Sequence, residues 1–243
     1  YIDPEKTLRV LKAFKGGNAV FTQPSTPIKC GGAPQKAAYM SDEFLRKSGV
    51  RDKTNLVYAT PGSVIFGVKE FAPALMDVIH KKGIILKTFY NPVRIDPVKK
   101  EIHFKWSKPG ENSCVLTEDR GLKEKVEGES TIVMPYDMLH LAPPQSAPDF
   151  IKQSPLAYQE GPSKGWLEVD INSLQHKRYA NIFGLGDVAA LPTAKTGAAI
   201  RKQVPVVVAN VLQRIKDGLL SKEQYSGYSS CPLVTGYGKM LLA

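Results

Sequence analysis

The chain has 243 residues, is 42% hydrophobic and carries a formal net charge of +10, which fits one large or two small globular domains with a buried core. Its three cysteines form no CxxC pair, which excludes a disulfide scaffold and a zinc knuckle and favours a reducing compartment. No apolar run approaches the roughly 18 residues of a membrane span, and the first ten residues resemble neither a signal nor a transit peptide.

The positive charge is compatible with a nucleic acid, an anionic membrane surface or a phosphate-bearing ligand. The lysines are scattered along the chain, without an RNP-type aromatic pattern, zinc-finger spacing or a recognition helix. We therefore predict that the protein does not bind nucleic acid.

Apolar patterning in the first third predicts alternating strands and helices. Pro34 suits the first turn of a helix, and Gly83 is a stop signal for another. In chain order the pattern predicts a strand at 18–22, a helix at 33–48, a strand at 55–59, a helix at 71–81 and a strand at 84–89. This order is the β-loop-α-β unit of a parallel sheet and predicts an α/β fold class.

Further along, residues 101–106 and 131–134 are predicted to be antiparallel strands, and the polar run 117–130 a solvated loop. Residues 181–185 are predicted to be a buried strand. A helix is expected over residues 195–217, with its N-terminus capped by Thr193 or Thr196, its C-terminus closed by Gly218 and a bend at Pro205.

Gly186 and Asp187 follow the strand predicted at 181–185, where α/β proteins place groups that contact ligands. The next helix has a positive N-terminal end, with Lys195 beside it, so an electron-rich ring oxygen or a phosphate would be stabilised there. A purely structural strand-turn-helix segment is the alternative.

Cys30 lies in the run PIKCGGAPQK, just before a predicted helix N-terminus. A cysteine loses its proton more readily beside Lys29 and Lys36 and near the positive end of a helix, which favours a sulfur nucleophile. Gly31 and Gly32 would let the backbone turn tightly and approach a flat cofactor. The alternative is an inert small residue in a loop.

Several motifs together resemble sulfide:quinone oxidoreductases of the mitochondrial type, a family of flavoproteins with two dinucleotide-binding domains related to glutathione reductase. They are TPIKCGGAPQK (26–36), YDMLHLAPP (136–144), GWLEVD with SLQHKRYANIFGLGD (165–187), LPTAKTGAA (191–199) and YSSCPLVTGYGK (228–239). The resemblance implies a Rossmann-like fold in three parts. Residues 1–53 would be the rear of the FAD domain with the redox-cysteine loop, 54–144 a second, degenerate NAD-type domain, and 145–243 a return to the FAD domain.

The family's N-terminal GxGxxG fingerprint does not precede Cys30, and its C-terminal membrane helices do not follow residue 243. We therefore expect an internal part of a longer protein. In the second domain, the run TPGSVIFGVKE (60–70) stands where we expect the nucleotide-binding glycines, and Gly62 and Gly67 are too far apart to form GxGxxG. This spacing argues against NAD(P)H and leaves sulfide as the electron source.

The resemblance assigns Cys30 to the redox cysteine pair beside the flavin. The family's other redox cysteine follows the Gly-Asp pair, where this chain has Val188, which cannot hold a persulfide. Three explanations stay open: a cysteine from a preceding segment, substitution by Cys231 or Cys114, or loss of the usual cycle. Neither Cys231 nor Cys114 is an attractive candidate from its sequence context.

The resemblance also implies FAD as the cofactor. Gly186 and Asp187 would contact it, with Asp187 accepting hydrogen bonds from the ribityl hydroxyls. Lys195 and Thr196 would lie at the pyrimidine edge of the isoalloxazine ring and tune its electronics. The four histidines have no ligand spacing, so we assign no metal.

The family reaction would have sulfide attack an oxidised sulfur, and the resulting persulfide would pass its sulfur to a small thiol or sulfite. The thiolate left at Cys30 would then attack the flavin, and ubiquinone would take the electrons. The family is attached peripherally to the inner mitochondrial membrane, or to the bacterial membrane in a prokaryote. The alternatives are a non-catalytic or altered family member with a structural or interaction role, and an NADH:quinone oxidoreductase.

Overall fold

A computed structural model describes residues 4–108 and 121–242 of the chain. The helices are α1 (Pro4–Ala13), α2 (Ala33–Lys47), α3 (Ala72–Lys82), α4 (Asp149–Lys152) and α5 (Gly197–Asp217). The strands are β1 (Gly17–Thr22), β2 (Thr54–Ala59), β3 (Ile85–Lys87), β4 (Tyr90–Asp96), β5 (Glu101–Trp106), β6 (Lys125–Glu127), β7 (Thr131–Pro135), β8 (Met138–His140), β9 (Pro232–Gly236) and β10 (Lys239–Leu242). Among the described residues, no helix is both long and apolar enough to cross a bilayer.

A four-stranded parallel sheet forms the centre of the fold, in the order β3-β2-β1-β8. Its central strand β1 consists mainly of apolar residues, and Ala19, Val20 and Phe21 are almost completely buried. A parallel sheet is normally covered by other elements on both faces, so the residues of its inner strands are apolar and buried on both sides. The predicted α/β fold class is confirmed, with a strand order typical of a Rossmann half.

Helices α2 and α3 cover one face of this sheet. Tyr39 and Leu45 of α2, and Leu75 of α3, join Phe21 and Tyr58 of the strands in one core cluster. Helix α2 begins with Pro34 in its first turn, as predicted. Helix α3 ends at Gly83, whose φ of +62° lies in the left-handed region that favours glycine at a helix C-terminus.

An antiparallel sheet, in the order β4-β5-β7-β6, packs on the other face. Its core residues Phe104 and Ile132 lie in one cluster with Val20 and Val57 of the parallel sheet. The antiparallel strands predicted at 101–106 and 131–134 are confirmed. The predicted loop at 117–130 is partly wrong, because β6 pairs with β7 and Leu122 is fully buried; residues 117–120 lie outside the described residues.

The parallel sheet also joins sequence regions that were predicted to be separate. Strand β1 comes from residues 1–53, whereas β2, β3 and β8 come from residues 54–144. The three-part division of the chain stays a prediction. One consequence is definite: the first strand-to-helix connection of this sheet is the run 23–32, which contains Cys30, and not the run 60–70 after β2. Neither run contains GxGxxG.

Residues 145–242 are mostly irregular, apart from the short helix α4, helix α5 and the β9-β10 hairpin. The strand predicted at 181–185 is wrong: this segment forms one isolated bridge, between Gln175 and Phe183, and leads into a short 3₁₀ helix, Gly186–Val188. A strand needs a ladder of backbone partners, and among the described residues this segment finds a single bridge. Helix α5 begins at Gly197, two residues later than predicted, and ends at Asp217, as predicted.

A candidate cysteine site between two loops

Cys30 lies in the connection between β1 and α2. Its φ of +57° is in the left-handed region, which is uncommon for a residue other than glycine and costs about 1 kcal/mol or more. Two hydrogen bonds hold it there: its N–H donates to the carbonyl oxygen of Lys195 at 2.8 Å, and its carbonyl oxygen accepts from the N–H of Ala33 at 2.8 Å. The neighbouring residue Lys29 also forms an isolated parallel bridge with Lys195. The cysteine loop is therefore tied to the segment that leads into α5.

A second cysteine stands beside the first. The Sγ atoms of Cys30 and Cys231 are 3.4 Å apart, and both cysteines are free thiols. The Lys36 ammonium lies 3.3 Å from Cys30 Sγ and 3.9 Å from Cys231 Sγ. Its sequence context made Cys231 an unattractive candidate for the second sulfur, and the structure places its Sγ beside that of Cys30. No local signal marks the contact, because it joins residues 201 positions apart. Cys114 lies outside the described residues.

The two thiols have different surroundings. Cys30 is half-buried, whereas only 7% of Cys231 is exposed. Burial raises the pKa of the Cys231 thiol, and the adjacent Cys30 sulfur adds to that shift, while Lys36 and the Gly32 N–H oppose it. The Cys231 thiol consequently loses its proton less readily than an exposed cysteine would, and the Lys36 ammonium lies beside both sulfurs.

Gly32 is the reason that β9 can lie so close to the cysteine loop. A Cβ atom at Gly32 would lie 2.1 Å from Cδ2 of Leu233 and 3.3 Å from Cys231 Sγ. The protein's own strand therefore fills the Cβ position of Gly32, while the expectation that Gly31 and Gly32 let the backbone approach a cofactor stays a prediction. Gly31 differs, since a Cβ there would meet Ile28 at an ordinary 3.8 Å.

The Gly186-Asp187 turn lies near the cysteine loop. Gly186 has a φ of +69°, and its N–H donates to Oε1 of Gln203 in α5 at 2.8 Å. The Asp187 side chain is 50% exposed, and its Oδ2 is 3.8 Å from Lys29 Nζ. Half of this carboxylate is thus open to accept hydrogen bonds from a ligand.

The Lys195 side chain is held between a backbone carbonyl group and an aromatic ring. The Lys195 ammonium donates to the carbonyl oxygen of Ala189 and lies 4.5 Å from the ring centroid of Trp166. Burial lowers the pKa of Lys195; the Asp187 carboxylate opposes this shift, and the positive charge of Lys29 adds to it. A partly desolvated ammonium of this kind gains from a nearby anion.

Thr196 is the N-cap of α5. Its Oγ1 accepts from the N–H of Ala199 at 3.1 Å and shares a hydrogen bond with the Ser229 hydroxyl at 2.9 Å. Of the two predicted caps, Thr196 is therefore the one used. Its hydroxyl fixes the start of the helix, while the first N–H groups of α5 remain without intrahelical acceptors.

The structure thus brings four of the sequence-predicted residues into one region: Cys30 bonds to Lys195, Lys29 next to Cys30 reaches Asp187, and Thr196 follows Lys195. Val188 is half-buried and packs against an apolar cluster that includes Ala189. Its carbonyl oxygen accepts from the N–H of Leu167 at 2.9 Å. This position therefore contributes packing and a backbone acceptor.

No protein-family model matches the chain. The chain is 43% identical over 240 residues to the mitochondrial sulfide:quinone oxidoreductase of Mus musculus, and this match covers 98% of the chain and 48% of the relative. It is 39% identical to the mitochondrial enzyme of the same name from Dictyostelium discoideum, over 100% of the chain and 48% of the relative. The chain spans about half the length of these curated relatives.

The fold is similar to that of the sulfide:quinone oxidoreductase from Aquifex aeolicus, with a TM-score of 0.71 and 19% sequence identity. This match covers 98% of the chain and 53% of the solved structure. The resemblance that the sequence motifs indicate is therefore confirmed.

Proposed function

We propose, from the similarity of this chain to mitochondrial sulfide:quinone oxidoreductases, that it serves in the FAD-dependent oxidation of sulfide, with a quinone as electron acceptor. The observation that supports this most directly is the position of Cys30. Its thiol lies in the first strand-to-helix connection of a Rossmann-type sheet, and its backbone is bonded to Lys195. A nucleotide-binding fold would hold its phosphate-binding glycines in that connection.

The groups around Asp187 fit FAD. The half-exposed Asp187 carboxylate suits hydroxyl donors, and the Gly186 turn is held on α5 through Gln203. Lys195 and the N-terminus of α5, fixed by Thr196, provide positive charge that suits the electron-rich edge of a flavin ring. FAD, when bound, supplies a two-electron acceptor for sulfide oxidation.

The chain's own contribution is to hold and activate sulfur. Cys30 provides a sulfur that can form and break a bond to a second sulfur. The Lys36 ammonium, 3.3 Å away, stabilises the negative charge that develops on Cys30 Sγ when such a bond breaks. The backbone hydrogen bond between Cys30 and Lys195 fixes the cysteine loop on the proposed flavin-binding segment.

The finer parts of the proposal follow the family. The sulfur would pass to a small thiol or to sulfite, and ubiquinone would receive the electrons. The protein would lie in the mitochondrion, which the names of its relatives support. Peripheral attachment to the inner membrane would follow from the resemblance to the family.

The test is anaerobic addition of sulfide to the purified full-length protein, followed by flavin absorbance. We expect rapid bleaching in the unmodified protein and a loss of at least about 100-fold in rate in Cys30→Ser, because a hydroxyl cannot form a persulfide. Cys114→Ser is the matched control. A colourless protein, or bleaching by NADH but not by sulfide, would contradict the proposal.

A further inference from the structure

The family resemblance implies a second redox cysteine at the position of Val188, and the structure places a different cysteine, Cys231, beside Cys30. Cys231 Sγ is 3.4 Å from Cys30 Sγ, which is the distance of a thiol-thiol contact. A disulfide needs about 2.05 Å between its sulfurs, so the two atoms have to approach by roughly 1.4 Å. Rotation about the Cα–Cβ bonds of the two free cysteines is the motion that would bring the sulfurs together.

The backbone of this region favours the contact. Cys231 immediately precedes β9, and β9 packs directly on the cysteine loop because Gly32 has no side chain. Leu233, two residues further along, is completely buried and fixes the strand. The two sulfurs are consequently held together by the tertiary fold before any bond between them exists.

The charges around the pair also suit thiol-disulfide chemistry. Lys36 Nζ contacts both sulfurs, at 3.3 Å and 3.9 Å, so whichever sulfur leaves as a thiolate has a cation beside it. Cys30 is the more exposed partner, and Cys231 is the buried one. A small thiol can form a mixed disulfide with the more accessible Cys30. The buried Cys231 sulfur can then attack that bond, form the disulfide with Cys30 and release the small thiol.

We propose that Cys30 and Cys231 form a reversible disulfide, and that Cys231 provides the second redox sulfur that Val188 cannot. Its role in sulfide oxidation rests on the function proposed above; the disulfide does not. Oxidation removes two electrons and two protons from the two thiols and forms one S–S bond, with an oxidised flavin or a small-molecule disulfide as the oxidant. Sulfide then attacks one of the two sulfurs and forms a new S–S bond, so that this cysteine becomes a persulfide. The Cys30–Cys231 bond breaks in the same step, and the other cysteine leaves as a thiolate beside Lys36.

The disulfide is tested without reference to turnover. Full-length protein is incubated with glutathione disulfide, the remaining thiols are alkylated, and the digested protein is analysed by mass spectrometry. We expect a cross-linked peptide pair containing Cys30 and Cys231, which disappears after reduction. Cys231→Ser should instead accumulate glutathione on Cys30, and Cys114→Ser should form the cross-link as the unmodified protein does.

The role in sulfide oxidation is tested by flavin bleaching in the same variants. We expect Cys231→Ser to bleach at least about 100-fold more slowly, since Cys30 then has no second sulfur with which to form the disulfide that sulfide attacks. A Cys30 cross-link to another cysteine, or no cross-link in the unmodified protein, overturns the pair. Bleaching at the unmodified rate in Cys231→Ser overturns its role while the proposed function stands. A cross-link without any sulfide-dependent bleaching leaves the pair intact and contradicts the proposed function.

Discussion

The N–H of Cys30 donates to the carbonyl oxygen of Lys195 at 2.8 Å, which joins the cysteine loop to the segment that begins α5. This bond links the residue proposed for sulfur chemistry to a residue proposed for the flavin. It also satisfies the backbone of Cys30 in its left-handed conformation. A shift of either loop is therefore expected to move both parts of the site.

Lys36 is expected to control the reactivity of Cys30. Its ammonium donates to Cys30 Sγ at 3.3 Å, and charge-assisted hydrogen bonds contribute about 1.5–3 kcal/mol. We expect Lys36→Met to slow alkylation of Cys30 by neutral iodoacetamide at pH 7 by roughly 10-fold or more, because about 1.4 kcal/mol is a factor of ten. The measurement is peptide-resolved alkylation over time. Lys36→Arg keeps the charge and should react close to the unmodified rate; equal rates in all three proteins would refute this role.

Gly32 is expected to be intolerant of a side chain. A Cβ atom in Gly32→Ala would lie 2.1 Å from the Leu233 side chain, which is fully buried and has little room to move. We expect a loss of about 1–3 kcal/mol in the free energy of unfolding, measured by urea denaturation, and a lower yield of the Cys30–Cys231 cross-link. Gly31→Ala is the matched control, since its Cβ would make an ordinary contact. An unchanged unfolding midpoint in Gly32→Ala would show that β9 can move aside freely.

Asp42 is expected to be a major source of stability in α2. Its carboxylate is fully buried and bonds to Arg46 at 3.0 Å, Arg51 at 2.6 Å and Lys82 at 3.0 Å. Burial alone would raise the pKa of Asp42, but the hydrogen bonds from these three cations outweigh it and hold the pKa below 3.8. We expect Asp42→Asn to lose about 3 kcal/mol in the free energy of unfolding, because it removes a fully buried negative charge that faces three cations, two of them largely buried.

The pH dependence of this contribution has a definite sign. A carboxyl whose pKa is lower in the folded protein stabilises it fully above its unfolded value of 3.8, and this stability is lost as the pH falls through the folded pKa. Urea unfolding at pH 7 and at pH 3 measures the difference. Glu43→Gln is the control, because Glu43 is 27% exposed and its carboxylate pairs with Lys82, one of the three cations that bind Asp42. A loss as large in Glu43→Gln as in Asp42→Asn would contradict the assignment.

His140 is expected to destabilise the fold in mild acid. It is stacked on Phe21 with ring centroids 5.4 Å apart, and its Nδ1 is buried with no hydrogen-bond partner within residues 4–108 and 121–242. Burial lowers the pKa of His140 below 6.5. Below pH 6.5 the unfolded chain binds a proton that the folded protein does not, so stability should fall by at most about 1.4 kcal/mol per pH unit. His140→Phe should remove this slope between pH 7 and pH 5.5, as measured by urea unfolding. His80→Gln, at an exposed position, should retain it; an identical slope in His140→Phe would contradict the prediction.

Local signals were sufficient for the main elements of the fold. The apolar run of β1, Pro34 at the start of α2 and Gly83 after α3 predicted their elements to within one or two residues, because these signals act on neighbouring backbone. The strand predicted at 181–185 failed, since its apolar composition cannot supply the backbone partners that a strand requires. The assignment of the first strand-to-helix connection failed for a related reason: the neighbours of β1 in the sheet are set by long-range pairing.

By itself, the sequence determined the α/β class and drew attention to Cys30, because the glycines and lysines that mark this cysteine are its neighbours along the chain. Only the tertiary structure decided that Cys231 lies in contact with Cys30, and that Leu233 of β9 fills the Cβ position of Gly32. It also decided that Thr196 is the N-cap of α5. The physical reason is that the Cys30–Cys231 contact joins residues 201 positions apart, and such a contact depends on how strands and helices pack rather than on any nearby residue.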